Sequence, residues 1–181
     1  MALSKIVNGG VAASGIPSGG IIQVQYTQYT STTNTACAND TNQALSHLSV
    51  NITPISTNSI IKLEAQVVGE WSVATSTYNS TWFFNRDSTR LGHATAGDRN
   101  VGILMGSMIN VGGTDADTTA EAVIYSYMDI PSTTSQITYT VATRQAAGSS
   151  STWYTNRTVS DTDYNSRERG VSFIRATEIA G

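Results

Sequence analysis

The chain has 181 residues, of which 39% are hydrophobic and 13% charged, and its formal net charge is −3. This length suffices for one domain with a hydrophobic core and is too short for two ordinary domains. The ten Lys and Arg residues are scattered without a basic run, so a nucleic-acid partner is not expected. A single cysteine, Cys37, excludes an intrachain disulfide and a thiolate metal site.

The composition favours β-structure over helix. Ser and Thr take the place of many charged residues, and Thr, Val, Ile and Tyr favour the pleated, half-buried surface of a sheet. Lys, Glu and Leu, which build long surface helices, are few. Low-complexity disorder is the competing interpretation of so much Ser and Thr, but evenly spaced hydrophobic runs argue against it.

The start of the chain predicts an N-terminal arm. Residues 1–20 are rich in Gly, Ala and Ser and carry a short apolar start at Leu3, Ile6 and Val7. Such a segment is typical of an attachment arm or linker that a partner orders. The opening lacks the apolar region of a signal peptide, and no stretch approaches eighteen apolar residues, so we expect neither secretion nor a membrane partner. The folded domain is expected over residues 21–181.

About eight or nine β-strands are predicted, separated by turns of Gly, Ser, Asn, Asp and Pro. In chain order they are a strand from Ile21, then Ala44–Thr53, Ile61–Val67, Ser80–Asp87, Val101–Ile109, Ala120–Ile130, Ser135–Gln145, Ser151–Val159 and Val171–Gly181. In the first strand the side chains alternate between two faces, with Ile22, Val24 and Tyr26 on one and Gln23, Gln25 and Thr27 on the other.

This spacing predicts an all-β fold, an antiparallel jelly-roll-like β-sandwich with an extended N-terminal arm. No sustained helical period appears. The acidic stretch between Asp117 and Tyr125 is the place where a short helix is an alternative. We favour a strand there because Val123 and Tyr125 alternate with Ile124 and Ser126.

The two histidines give little support for catalysis. His47 falls on the polar face of a predicted strand, and His93 falls in a turn. Neither has the spacing of a zinc motif, and no G-x-S-x-G nucleophile motif is present. We therefore expect ordinary surface or interface histidines.

One acidic loop has part of a calcium-binding pattern. Asp161, Asp163 and Asn165 occupy the first three ligand positions. The pattern then fails, because Ser166 replaces the turn glycine and Ser172 replaces the bidentate glutamate. We expect a solvated acidic loop and no metal or other cofactor.

The aromatic residues divide between core and surface. Trp82 lies in an apolar strand and is expected in the core. A polar sequence context around Trp153 and Tyr154 favours contact with solvent or another subunit. The candidate receptor contacts are Trp153, Tyr154, Asp161, Asp163 and Tyr164.

Several segments resemble small structural proteins of marine tailed phages, cyanophages among them. They occur in the same order and spacing over most of residues 1–181, and they are "GGIIQVQ", "LSVNITPISTNSIIKLEAQV", "FFNRDSTRLG", "YMDIPSTTSQITYTVATR" and "ATEIAG". The resemblance implies a jelly-roll-like head of a virion surface protein, of the tail-fibre-tip or capsid-decorating type and often trimeric. It implies no catalytic residues.

The hypothesis from the sequence is therefore a non-enzymatic virion protein that is assembled in the bacterial cytoplasm and decorates the capsid surface as a homotrimer. Its arm residues Leu3, Ile6, Val7 and Ile16 would contact the major capsid protein or sister subunits. An arm this short cannot form a fibre shaft, which favours the capsid. The alternative is a tail-fibre tip or adhesin that binds a host surface receptor or polysaccharide.

A third alternative belongs to another class, a glycan-acting enzyme. Such an enzyme needs two carboxylates about 5–10 Å apart in a cleft. Glu64, Glu70 and Glu121 are the candidates, since they lie in predicted strands. Their relative placement does not follow from the sequence.

Overall fold

In the computed structural model, which describes residues 15–106 and 118–181, eleven strands form two antiparallel sheets. The strands are β1 (Ile21–Tyr29), β2 (Thr33–Cys37), β3 (Gln43–Ile52), β4 (Ile60–Trp71), β5 (Ser80–Arg86), β6 (Thr89–Arg90), β7 (Leu104–Met105), β8 (Glu121–Asp129), β9 (Ile137–Gln145), β10 (Ser151–Thr155) and β11 (Ser172–Ile179). One short helix, α1 (Ala74–Tyr78), connects β4 to β5. The described residues contain no helix long and apolar enough to cross a membrane.

The two sheets pack face to face as a sandwich. In sheet A, β4 is central and pairs with β8 on one side and with β11 and then β10 on the other. β1 pairs with the far side of β11, and β2 with the far side of β10. Sheet B has the order β3-β9-β5-β6, with β7 also on β5. The predicted antiparallel β-sandwich is confirmed, and successive strands from β3 to β5 and from β8 to β10 alternate between the sheets in the jelly-roll manner.

The core lies between the inner faces of the two sheets. The predicted inward rows are confirmed, since Leu48, Val50 and Ile52 of β3 are buried, as are the alternate residues of β4 from Ile61 to Val67. Tyr125 of β8 packs on Phe84 at a centroid distance of 4.6 Å. The alternation therefore identified which residues fill the core on these strands.

The predicted buried strand over Val101–Ile109 is wrong. In its described part only the two residues of β7 form a strand, and Met105 is 53% exposed. Ile103 N donates to Trp82 O at 2.8 Å and Gly106 N donates to Ser80 O at 2.7 Å, so the segment follows only the beginning of β5. A Cβ at Gly102 would lie 2.8 Å from Thr81 Cβ, so glycine allows this close approach of two backbones. The end of the predicted strand, residues 107–109, lies outside the described residues.

β1 turns its apolar side chains outward. A bulge between Ile21 and Gln23 interrupts the register with β11 and separates Ile22 from the row of Val24 and Tyr26. Val24 and Tyr26 are 46% and 69% exposed. The opposite, polar face meets sheet B, where Thr27 Oγ1 donates to Ser49 O at 2.6 Å. The predicted alternation is present, but the polar row is the one that faces inward.

The last residues of the predicted arm are attached to the domain. Gly19 N donates to Ala180 O at 2.7 Å, and Ala180 N donates to Gly20 O at 2.9 Å, which extends the ladder between β1 and β11. Ile16 is half-buried and lines a concavity of about 390 Å³ with Ile22 and Ile55. Ile16, predicted to contact a partner, therefore lies against its own domain. The other predicted arm contacts, Leu3, Ile6 and Val7, lie outside the described residues.

Candidate functional site

The sandwich has two different ends. At one end, which we call the arm pole, Ile21 of β1 lies opposite Ile179 of β11, next to Gly19 and the segment that leads to the arm. At the other end, the loop pole, Tyr29 lies opposite Ser172. Eight residue steps along a strand place the two poles about 26 Å apart.

The predicted acidic loop lies at the loop pole, between β10 and β11. An isolated antiparallel bridge between Arg157 and Arg169 closes its base. Arg169 binds Asp161 through two hydrogen bonds, Nε to Oδ1 at 2.9 Å and Nη2 to Oδ2 at 2.8 Å. Arg157 Nη1 donates to Asp161 Oδ2 at 3.2 Å. Asp161, predicted as a receptor contact, thus fixes the loop with both carboxylate oxygens.

The fixed loop shapes a concavity of about 280 Å³. Its lining residues are Asp161, Thr162, Asp163, Tyr164, Arg167 and Arg169. Tyr164 is 67% exposed and offers an aromatic face, while the two arginines offer hydrogen-bond donors. Tyr154 lies nearby, half-buried, with the Arg157 guanidinium 4.5 Å above its ring. Because Arg169 is already bound to Asp161, an anionic group of a ligand in this concavity would pair with Arg167.

Trp153 is not a surface residue, and the prediction of a receptor contact there is wrong. Its side chain is 1% exposed and lies 5.3 Å from the ring of Trp71 and 4.9 Å from the ring of Trp82, measured between centroids. Because the side chains of a strand alternate, the neighbouring Tyr154 points outward instead. Trp82 is completely buried, as predicted.

Asn156 joins the segments beneath the loop pole, a role that the sequence did not indicate. Its Nδ2 donates to Tyr29 O at 2.7 Å and to Ser31 O at 2.9 Å, and its Oδ1 accepts from Ser172 Oγ at 2.6 Å. It is buried and has a φ of +61°. Asn tolerates this left-handed conformation better than most residues do, and among the many Asn residues of the chain nothing in the sequence distinguishes it.

A second polar concavity, of about 370 Å³, lies beside sheet B. It is lined by Asp40, Arg90, Thr95, Gly97, Asp98, Arg99, Val101 and Arg144. Arg144 Nη2 lies 3.3 Å from Asp40 Oδ1, and Arg90 covers the ring of Phe83 at 5.1 Å. Burial, and then the charge of Arg144, lower the pKa of Arg90. The sequence did not predict this cluster because its arginines are far apart in the chain.

The two histidines have separate surroundings and no hydrogen bond is shown between them. His47 is half-buried, its Nε2 lies 3.0 Å from Thr155 Oγ1, and its ring packs on Tyr29 at 4.6 Å. Burial lowers the pKa of His47. His93 is exposed and its Nδ1 lies 2.6 Å from Ala94 O. In residues 15–106 and 118–181 no three His, Cys, Asp or Glu side chains are grouped as a metal site.

The three candidate carboxylates of a glycan-acting enzyme do not converge. Glu64 lies on the outer face of sheet A, where it pairs with Lys62 and Arg175. Glu70 is buried and accepts a hydrogen bond from Val159 N at 2.6 Å. Glu121 pairs with Gly69, next to Glu70 along β4, so Glu70 and Glu121 lie on opposite faces of the sheet. This set of residues lacks the pair that glycoside hydrolysis needs.

Comparisons with known protein families and with curated protein sequences find no match for this chain.

Proposed function

We propose that this chain is a non-enzymatic structural protein of a tailed-phage virion, a homotrimer that decorates the capsid surface. The arm, residues 1–20, binds the major capsid protein, and the β-sandwich faces outward. The resemblance of the sequence segments to phage structural proteins suggests the class of protein. The difference between the two ends of the sandwich supports the outward orientation of the domain.

This difference between the two ends is the observation that carries the proposal. The arm joins the domain at one pole, through the hydrogen bonds of Gly19 and Gly20 with Ala180. The loop around Asp161 lies at the other pole, closed by its own ion pairs. A protein that is anchored through an arm at one end displays the other end to solvent, and a rigid β-scaffold with an elaborated loop suits that display.

Cryo-electron microscopy of the purified virus particle tests the proposal directly. We expect density for the sandwich at regular positions of the capsid lattice, with the arm pole towards the shell. Copies found only on the tail would contradict decoration and support the alternative function below. A particle without this chain would contradict both.

The concavity at the loop pole favours a second candidate function, that of a tail adhesin. Tyr164 offers a surface on which a sugar ring stacks, and Arg167 offers a donor to a carboxylate or phosphate of a surface polysaccharide. The test is binding of the purified chain to host cells. Adhesion predicts that Tyr164→Ala lowers binding by about tenfold or more, a loss of roughly 1.4 kcal/mol, whereas Ile55→Ala, at an exposed apolar side chain of the arm pole, has no effect. Equal binding by both variants would contradict adhesion at this loop.

A further inference from the structure

Sheet A has two open edges. Among the described residues β1 pairs with β11 alone, and β8 pairs with β4 alone. Within the described residues, the backbone N–H and C=O groups on the far side of each strand therefore have no partner strand, and we call these rows the β1 edge (residues 21–29) and the β8 edge (residues 121–129). An open edge is a template for another strand unless the chain protects it.

Within the described residues, the usual protection of sheet edges is confined to the ends of these two strands. β1 contains no charged residue and no proline. The charged residues of β8, Glu121 and Asp129, stand at its two ends and are buried. The bulge between Ile21 and Gln23 guards only the first residues of the β1 edge. Both strands are otherwise long, regular and suited to pairing.

The apolar side chains that face solvent on sheet A are concentrated at these edges. Val24 and Tyr26 of β1 are 46% and 69% exposed, and Ile124 and Met128 of β8 are 65% and 54% exposed. All four lie on the outer face. Val24 and Tyr26 pair with Thr177 and Arg175 of β11, and the cross-strand partners of Thr177 and Arg175 continue across β4 to the outer face of β8. If the two edges met, cross-strand pairs of these side chains would leave water together.

The two edges match each other in length and direction. Each strand has nine residues. Three successive antiparallel pairings, β1 with β11, β11 with β4 and β4 with β8, make β1 and β8 run in opposite directions. A second copy in the same orientation beside the first therefore brings its β8 edge antiparallel to the β1 edge.

Size also fits a second copy. Glu64, 3.0 Å from Lys62 Nζ and 2.7 Å from Arg175 Nη2, neutralises part of the positive charge on the outer face between the two edges and leaves one positive charge on these three residues. The side of a two-layer sandwich about 30 Å long and about 20 Å deep presents roughly 600 Å². A standard interface takes about 800 Å² from each partner, so this side supplies most of one.

We propose that copies of this chain associate by pairing the β1 edge of one with the β8 edge of the next. Because the contact is between two different surfaces, it repeats around a ring. Only the number of copies in the ring, three, rests on the proposed function. The pairing of the edges is tested on the purified full chain without reference to a virion.

Light scattering coupled to size-exclusion chromatography gives the first test. We expect the mass of a trimer for the unchanged chain and of a monomer for Tyr26→Lys and for Ile124→Lys, with near-ultraviolet circular dichroism showing that both variants remain folded. Tyr164→Lys is the matched control, because Tyr164 is 67% exposed but lies in the loop between β10 and β11 and in neither edge strand, and it should remain a trimer. A monomeric unchanged chain overturns the inference, and so does a trimer that survives both edge variants. The second result would leave the proposed function intact.

Disulfide cross-linking tests the pairing itself. In the register that the same orientation gives, Val24 lies level with Met128. We therefore expect Val24→Cys and Met128→Cys to form an intermolecular disulfide when the two variants are co-expressed and oxidised, and neither to form one when alone. The buried Cys37 does not compete. A disulfide in either variant alone would show that an edge meets itself across a two-fold axis and would overturn the proposed pairing.

Discussion

Single side chains hold the loop pole together, and Asn156 is a buried one among them. Its amide satisfies two backbone carbonyl groups and one hydroxyl in the buried space beneath the loop. A buried carbonyl that loses its partner costs about 1–3 kcal/mol. The network therefore makes the position of the loop dependent on one residue.

Replacement of Asn156 by Ala or by Gly separates the contribution of its hydrogen bonds from that of its backbone conformation. We expect Asn156→Ala to lower the free energy of unfolding by about 3–5 kcal/mol, from lost hydrogen bonds and from a φ of +61° that alanine disfavours. Asn156→Gly keeps the φ and should lose about 1 kcal/mol less. Urea unfolding of both variants gives the comparison. Equal losses would show that the backbone conformation contributes nothing.

Cys37 should be inert in the folded protein. The thiol is 1% exposed, and burial raises its pKa from 9.0 to about 11, so little thiolate is present at neutral pH. We expect a thiol reagent at pH 8 to modify the folded chain only at the rate of unfolding, and the chain in denaturant at once. Rapid modification without denaturant would place Cys37 at the surface.

His47 should make stability depend on pH. Its folded pKa lies below the unfolded value, so the unfolded chain binds the proton more readily. This contribution to stability is complete above the unfolded pKa of about 6.5 and is lost as the pH falls through the folded pKa. Thermal unfolding at pH 7.5 and 5.5 should therefore show a smaller decrease in Tm for His47→Gln than for the unchanged chain. His93→Gln is the control, and a His93→Gln response equal to that of His47→Gln would argue against burial as the cause.

Among the secondary-structure elements, β10 supplies a core side chain that contacts both sheets. Its Trp153 enters between Trp71 of β4 and Trp82 of β5, so one residue joins both sheets. A Cβ on Gly69 of β4 would collide with the carbonyl oxygen of Tyr154 and lie 2.7 Å from the Trp153 ring. The glycine therefore leaves the space that the indole fills.

Truncation of Trp153 should be costly for this reason. We expect Trp153→Ala to lower the free energy of unfolding by about 3–5 kcal/mol. Trp153→Phe should cost less than half as much, because the indole Nε1 makes no hydrogen bond to the described residues. Tyr154→Ala, one residue along and pointing outward, should cost about 1 kcal/mol. Chemical denaturation followed by circular dichroism measures all three, and a Trp153→Ala cost as small as that of Tyr154→Ala would contradict the buried position.

The sequence predicted the positions of the strands better than it predicted which of their side chains are buried. Alternation along Leu48, Val50 and Ile52 predicted both the strand and its buried face, because in a half-buried strand the apolar residues are those that face the core. At β1 the same signal gave the strand but not the side that faces the core, since Thr27 and Gln23 find polar partners on sheet B. At Trp153 polar neighbours in the chain concealed a buried residue.

The candidate site was predictable only in part. Asp161, Asp163 and Tyr164 share one loop, so their proximity followed from the sequence. The two arginines that bind Asp161 could not be assigned to it, because the bridge between Arg157 and Arg169 depends on how the loop closes. Contacts among distant segments, such as Asn156 with Tyr29, depend on the tertiary fold.

At the scale of the whole molecule, the join between arm and domain is a testable boundary. Removal of residues 1–14 leaves the hydrogen bonds of Gly19 and Gly20 with Ala180 in place. We expect that deletion to lower the Tm less than deletion of residues 1–20 does. Deletion of residues 1–20 removes those bonds and should lower the Tm by about 2–4 °C for each kcal/mol lost. Differential scanning calorimetry makes the comparison, and equal Tm values for the two deletions would show that the join contributes no stability.

The position of β11 in sheet A has a consequence for synthesis of the protein on the ribosome. β11 lies between β1 and β4, although β1 begins at Ile21 and β11 only at Ser172. At about 5–20 residues per second, the first strand waits roughly 8–30 s for its partner to be made. During that time one side of β4 lacks most of its pairing as well. Chaperones that shield unpaired strands should therefore affect the yield of this protein more than its final stability.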